Sequence, residues 1–495
     1  MIAYNLRMTE LSEISRLLDH LPAQRVLVVG DLMLDRFIYG AVERISPEAP
    51  IPIFTATREE RMLGGAGNVV RNVLALGAHA SFAAVIGDDL VGNQLTALVG
   101  EEAGLAPSLI TERGRLSTKK TRYVAGGQQI LRSDSETKAP IRDDSAQKLL
   151  SQILPELAQH QALILSDYGK GVLTPELCAR LIHEAQARSI PVFVDPKTRE
   201  VSRYAGATVL SPNLKELALA AGVDGFSDEA AIIAAARGII AAHRFQYVLV
   251  TRGAEGMMLV DAEGLVTSVA ASAQQVFDVS GAGDTVIATL AAAHAVGAPM
   301  ALATELANLA GGIVVGKLGT AVVHREDLTA ALYTRRALAL QHKVLPWDAA
   351  EAQVKSWQRA GLSVGFTNGC FDIMHAGHIQ LLSDARARCD KLVVALNTDA
   401  SVRGLKGDSR PVNAELDRAQ VLAALAYVDA VVLFGEPTPL ALLERLRPDV
   451  LMKGADYTRE QVVGWQFVES YGGRVELLPL KEGYSTSGII ARMMG

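Results

Sequence analysis

The feature that most limits the folds open to this chain is a rhythm of short apolar runs, each stopping on a polar or glycine-containing tip. RVLVVGD ends at Asp31, ALILSD at Asp167 before YGKG, PVFVD at Asp195 before PK, ATVLSPN at Asn213 before LKE, and YVLVT at Thr251 before RG. Runs this apolar suit parallel strands buried on both faces. The helix-length segments between them supply the crossovers that parallel strands require. The expected fold is therefore α/β with a doubly wound parallel sheet, in which ligands bind beyond the carboxyl ends of the strands. Asp31 and Asp35 become candidates to hold substrate hydroxyls there, although either residue type also caps ordinary turns.

The rhythm lapses into a polar helix-like stretch between about Arg325 and Trp347, then restarts with LSVGFTNGCFD and LVVALNTD. At 495 residues the chain is too long for one ordinary core. The expected organisation is a domain over 1–322, a linker over 323–345 and a smaller α/β domain over 346–495. Two segments interrupt the first domain. The proline-rich ERISPEAPIP (43–52) is unsuited to a helix interior or a central strand, and reads as an edge ribbon or lid. Residues 117–134, rich in Lys, Arg and Thr, read as a second lid ribbon.

Composition narrows the function. A net charge of −6 with no Lys/Arg block gives no electrostatic case for nucleic acid. The three cysteines are scattered without a CxxC, which fits a reducing cytoplasm and argues against a disulfide framework. The N-terminus lacks the apolar core and cleavage site of a signal peptide. The uncharged run Thr285–Thr304 is long enough to suggest a membrane span. It is alanine-rich and broken by His294, Gly297 and Pro299, so two buried helices, with no membrane insertion, are expected.

Two stretches carry phosphate chemistry. Asp278-Val279-Ser280-Gly281-Ala282-Gly283-Asp284 opens onto a helix-like run, so the backbone donors of Gly281, Ala282 and Gly283 can form an anion hole at a helix N-terminus. Asp284 stands at its mouth, placed to take a proton from an attacking hydroxyl. In the second domain, His375 and His378 flank a glycine just after a strand and a turn at Asn368-Gly369. Three-residue spacing suits a metal pair, but no Cys/His cluster completes a zinc site. The alternative is donation to a nucleotide phosphate at a helix N-terminus. A basic loop follows with Lys406 and Arg410.

These motifs carry a resemblance. DxxGAGD, with Gly64, Gly65 and Asn68 upstream as GGxxxN, resembles the ribokinase-like sugar kinases, in which the glycines admit the sugar and the asparagine binds it. The resemblance extends to Asn213 and Glu216 as the NxxE motif that organises Mg²⁺, held through water at Glu216, and the nucleotide phosphates. It also makes Thr251, Gly253 and Gly256 a nucleotide loop, and places Asn308 and Gly312 at an adenine pocket. HxGH, with Asn368, Gly369, Lys453 and a closing Ser485-Thr486-Ser487, resembles the nucleotidylyltransferases. Tyr484 and Leu480 stand where the cytidylyltransferases carry isoleucine and arginine, which points away from cytidine.

Taken in order with RISPEAPIP, SDYGKG, DPK, TNGCFD and KGADY, the whole chain resembles the bifunctional heptose kinase–heptose adenylyltransferases of Gram-negative bacteria. That implies ATP with Mg²⁺, heptose phosphates as substrates and a homodimer formed through the kinase lid. It also implies a pathway phosphatase acting between the two steps. The alternative is the same two chemistries on another sugar or polyol phosphate. A 7-phosphate dianion needs cations, and Arg132, Lys170 and Lys197 on lid or strand-tip segments are the candidates.

Overall fold

The computed structural model describes residues 14, 16–272, 281–317, 321–332 and 343–479. Asp278 to Ser280 and Ser485, Thr486 and Ser487 lie outside them. The chain divides into two compact units, Met1–Leu332 and Tyr333–Gly495.

Among the described residues, the first unit contains two sheets. The strands are β1 (Arg25–Gly30), β2 (Leu32–Ile45), β3 (Pro52–Gly65), β4 (His79–Gly87), β5 (Leu105–Glu112), β6 (Thr118–Ala125) and β7 (Gln128–Ser135). They continue as β8 (Ala162–Ser166), β9 (Val192–Asp195), β10 (Val209–Leu210), β11 (Tyr247–Thr251), β12 (Met257–Val260) and β13 (Leu265–Val269). The main sheet runs β13-β12-β11-β10-β9-β8-β1-β4-β5. It is parallel except where β12 joins antiparallel to β11 and β13. The chain winds outward from β1 in one direction through β4 and β5, and in the other from β8 to β11. The order therefore reverses between β1 and β8, where a crevice opens at the strand ends.

Alternate β1 side chains serve different layers. Val26 and Val28 face a core with Val69, Val73 and Ile287, whereas Leu27 and Val29 face one with Leu177 and Leu181. Double-sided burial is what the unbroken apolar runs anticipated. Residues 285–304 form parts of two packed helices, Ala282–Ala295 and Met300–Val314. No helix among the described residues is long and apolar enough to cross a membrane. Both ribbons read from the sequence join one four-stranded sheet, β3-β2-β6-β7. The proline-rich stretch supplies the turn between β2 and β3. Residues 323–332, assigned to the linker from sequence, instead bury Val323, Leu328 and Leu332 in the first core.

The second unit has β14 (Val364–Gly369), β15 (Lys391–Asn397), β16 (Ala430–Phe434), β17 (Val450–Gly454) and β18 (Arg474–Leu478). All are parallel, in the order β16-β15-β14-β17-β18. The winding direction reverses between β14 and β17, which sets a second crevice at the ends of those strands. Val344 pairs with Val431 beside β16, so the end of the expected linker already belongs to this sheet.

Candidate functional sites

In the first unit, Gly281 adopts φ 82° and caps the helix Ala282–Ala295. Glycine takes that left-handed turn without the steric cost a side chain would bring. It leaves Ala282, Gly283 and Asp284 in the first helical turn, where backbone donors lack intrahelical acceptors. Asp284 is buried. Its Oδ2 accepts from Asn68 Nδ2 at 2.8 Å and its Oδ1 from the Tyr168 hydroxyl at 2.6 Å. Burial pushes the Asp284 carboxyl up to about 6, against the lowering effects of Tyr168, Asn68 and the Lys197 charge.

The helix Ala66–Ala75 brings Asn68 to this point. Thr285 donates to Asn72 Oδ1 at 3.0 Å, and Asn72 donates to the Asn68 carbonyl at 2.9 Å. The two helices are thus held in register by buried polar contacts. Asn68 Oδ1 is buried with no hydrogen-bond partner among the described residues, an acceptor available to a ligand hydroxyl. Gly64 and Gly65 end β3 and lead directly into the helix Ala66–Ala75. A Cβ at Gly64 would collide with the Asp35 carboxylate, and one at Gly65 with the Asp31 carbonyl.

The aspartates expected from sequence are both buried at this edge, with different partners. Asp31 accepts from the backbone N–H groups of Tyr168 (2.8 Å), Lys170 (2.9 Å) and Val172 (3.1 Å). Its carboxylate is thereby engaged in shaping the loop after β8. Asp35 binds Arg122 at 2.6 Å. Burial raises Asp31 to about 6, with Asp167 adding to the effect, and raises Asp195 to about 7.

The nucleotide candidates follow along the same edge. Asn213 and Glu216 form a reciprocal capping box, Glu216 N to Asn213 Oδ1 at 3.0 Å and Asn213 N to Glu216 Oε2 at 2.9 Å. Glu216 Oε1 also accepts from Lys197 at 2.6 Å. No group of three or more His, Cys, Asp or Glu side chains able to hold a metal occurs among the described residues. Both carboxylate oxygens of Glu216 are already engaged, Oε1 by Lys197 and Oε2 by the Asn213 N–H. Thr251 forms a bridge with Asn213, and Gly253 and Gly256 turn the chain at φ 59° and 86°. Asn308 is buried and donates to the Ala270 carbonyl at 2.9 Å, so its amide holds the segment after β13. Gly312 lies on the same helix, half-buried.

Of the cations expected to meet a sugar phosphate, Lys170 pairs with Glu136 at 2.7 Å and Lys197 with Glu216 at 2.6 Å. Arg132 pairs with Asp134 at 3.1 Å and is half exposed. Sequence reasoning missed Tyr168 and Lys120. The first stands within the SDYGKG string but carried no assigned role. The second sits in a ribbon whose basic composition resembles a solvated surface.

In the second unit, His375 caps the helix Ala376–Arg386, its Nδ1 accepting from the His378 N–H at 3.4 Å. The two imidazoles stack, centroids 3.7 Å apart and planes 18° apart. His378 Nδ1 is buried and has no hydrogen-bond partner among the described residues. Burial, then the charges of His375 and Lys406, push His378 down to about 4, while burial also lowers His375. Lys453 donates to the Asn368 carbonyl at 2.8 Å and side chain at 2.9 Å, joining β17 to β14 at the strand switch. Burial lowers Lys453 to about 8. A side chain at Gly369 would meet the Phe371 ring. Arg410 binds Asp372, which also accepts from Val412 N at 2.7 Å. Arg410 Nη2 is buried without a partner among the described residues.

These two sites define a carbohydrate kinase followed by a nucleotidyltransferase in one chain. The pfkB family carbohydrate kinase profile matches residues 23–326, and the cytidylyltransferase-like profile matches residues 366–492. The chain belongs to the family of bifunctional HldE proteins. It is 51% identical to Bifunctional protein HldE of Paramagnetospirillum magneticum over 99% of this chain and all of that one. The Rhodospirillum rubrum protein of the same name is 54% identical over 95% of each chain. Among solved structures, Escherichia coli phosphofructokinase-2 in complex with potassium matches with TM-score 0.54 at 21% identity, covering 63% of this chain and 99% of that chain. Arabidopsis thaliana ribokinase complexed with ribose and ATP gives 0.50 at 18%, over 62% and 98%. Those likenesses describe the fold of the first unit.

Proposed function

We infer that the first unit transfers the γ-phosphoryl group of ATP to the anomeric hydroxyl of D-glycero-β-D-manno-heptose 7-phosphate. The second unit then condenses heptose 1-phosphate with ATP, giving ADP-heptose, a lipopolysaccharide core precursor, and pyrophosphate. The observation that carries this reading is the full-length identity with bifunctional HldE proteins. The kinase is assigned to the first unit, Met1–Leu332, and the transferase to the second, Tyr333–Gly495.

Phosphoryl transfer depends on positioning and charge neutralisation more than on covalent chemistry. In the kinase, Asp284 takes the proton of the anomeric hydroxyl as that oxygen forms its bond to the γ-phosphorus and ADP leaves. Tyr168 and Asn68 fix the carboxylate while leaving lone pairs for the substrate. Gly281, Ala282 and Gly283 present backbone donors to the moving phosphoryl group. Asn68 Oδ1 accepts a sugar hydroxyl. Thr251, Gly253, Gly256, Asn308 and Gly312 line the nucleotide. Mg²⁺ bound with ATP supplies charge neutralisation at the phosphates, and Glu216 with Asn213 would hold it through water.

In the transferase, a phosphate oxygen of heptose 1-phosphate attacks the α-phosphorus of the second ATP, and pyrophosphate leaves with the displaced electron pair. His375 and His378 donate to the α-phosphate. Lys406, Arg410, Lys453 and Ser485, Thr486 and Ser487 neutralise the triphosphate. The chain acts in the cytoplasm as a homodimer joined through the lid, where Ile45 and Leu131 are exposed. A separate phosphatase removes the 7-phosphate between the two steps. Phosphorus NMR of full-length protein with ATP, Mg²⁺ and heptose 7-phosphate tests the first reaction. A new anomeric phosphate signal is expected, and a panel of other sugar phosphates checks the alternative acceptor.

A further inference from the structure

We propose that Lys120 is the lid residue that recognises the distal phosphate of the kinase acceptor. The proposal rests on the reading of the first unit as a kinase of a phosphorylated sugar. Lys120 lies on β6, opposite Asp35 of β2 and Asp134 of β7. Side chains two apart on a strand share a face, so Lys120 and Arg122 look the same way. Arg122 reaches Asp35 at 2.6 Å. Lys120 Nζ lies 5.8 Å from the centroid of the Tyr168 ring, whose hydroxyl contacts Asp284. Tyr168 therefore has the ammonium of Lys120 over its ring face and the proton-accepting carboxylate at its hydroxyl, so a sugar lying along Tyr168 with its anomeric oxygen at Asp284 would extend its distal phosphate toward Lys120.

The other cations near this face already have partners. Lys170 holds Glu136, Lys197 holds Glu216, and Arg132 holds Asp134. Lys197 also works beside the capping box of the nucleotide edge. Lys120 is half-buried, and no carboxylate among the described residues lies within ion-pairing distance of it. Burial lowers its pKa, and the neighbouring charges of Lys170 and Arg132 act in the same direction, with Asp35 and Asp134 opposing. A partly desolvated ammonium without a paired anion is costly. A phosphate dianion provides the missing charge through strong charge-assisted hydrogen bonds.

The test measures steady-state kinetics of the full chain with heptose 7-phosphate, and uses unphosphorylated heptose as a competitor. Lys120→Met should raise the KM for the sugar phosphate about 30-fold, the equivalent of one hydrogen bond to a charged group. The KM for ATP and the inhibition constant of unphosphorylated heptose should change little. Lys120→Arg, which keeps the charge, should recover most of the affinity. An unchanged KM in Lys120→Met would overturn the assignment. So would equal weakening of both sugars, because that marks a structural role. If the wild-type chain phosphorylates no sugar phosphate, the kinase reading itself fails and takes this assignment with it. If only the variant comparison fails, the kinase reading stands.

Discussion

Asp284 links the chemistry of the first site to its stability. Its pKa in the fold lies near 6, above the ordinary 3.8, so the folded chain binds the proton more tightly than the unfolded one. A raised carboxyl contributes stability that is fully present below the unfolded pKa and is lost as pH rises through the folded value. Asp284→Asn should abolish sugar phosphorylation, leave adenylyl transfer intact, and stabilise the first unit by about 2 kcal/mol at pH 8. Calorimetry should show much less gain at pH 4, and an equal gain at both values would contradict the raised pKa. His378 works in the opposite pH direction. Its pKa is pushed from 6.5 down to about 4, so its neutral form is favoured by folding. The stability it contributes is present above 6.5 and declines as pH falls toward 4. His378→Ala should reduce adenylyl transfer on the order of 100-fold, leave the kinase unaffected, and flatten the acid-side loss of stability in the second unit.

At the scale of elements, several charged residues act by fastening loops to strand ends. Asp31 gathers three backbone donors of the loop after β8, which brings Tyr168 to Asp284. In the second unit, the fully buried Arg418 donates to the Cys370 carbonyl at 2.6 Å, the Asn413 carbonyl at 3.0 Å and Asp399 at 2.7 Å. It connects the ends of β14 and β15 to the basic loop. Arg418→Met would leave Asp399 and two carbonyls without their partner, and should destabilise that unit by about 3 kcal/mol. Two separate thermal transitions, with only the second lowered, would be the expected result. A variant with unchanged melting would show that solvent replaces the guanidinium without loss. Sequence reasoning gave Arg418 no role. A lone arginine gives no sign of burial until three loops converge on it.

At the scale of the molecule, the unit boundary at Leu332 and Tyr333 sharpens where the chain can be divided. Val323, Leu328 and Leu332 complete the first core, and Lys343 to Leu345 bond to the second unit's sheet region. Separating the chain between residues 333 and 342 should yield two folded fragments with one activity each. Cutting at 322 should instead destabilise the kinase fragment, as measured by its melting temperature. Folded fragments that both lack turnover would mean that the sites are shared. The full chain given ATP, Mg²⁺ and heptose 7-phosphate should form pyrophosphate and ADP-sugar only when a sugar bisphosphate 7-phosphatase is added. A second dianion in a site built for one would leave charge unpaired, at a cost of several kcal/mol. Nucleotide sugar formed without the phosphatase would place the phosphorylated hydroxyl or the acceptor elsewhere.

The sequence by itself determined the doubly wound α/β class, the restart of the pattern in a second domain and the two helix-terminal phosphate motifs. These are local properties: apolar runs of strand length, glycine turns and a carboxylate or imidazole at fixed spacing. Only the tertiary structure decided that Asp31 shapes a loop, that Glu216 is already engaged by Lys197 and its own helix cap, and that residues 323–332 belong to a core. It also decided that Lys120, indistinguishable in sequence from its basic neighbours, has no carboxylate within ion-pairing distance among the described residues. The physical reason is that desolvation and charge pairing depend on which distant segments converge. Asp284 meets Asn68 across 216 positions and Tyr168 across 116, and no local pattern fixes which oxygen each donor finds.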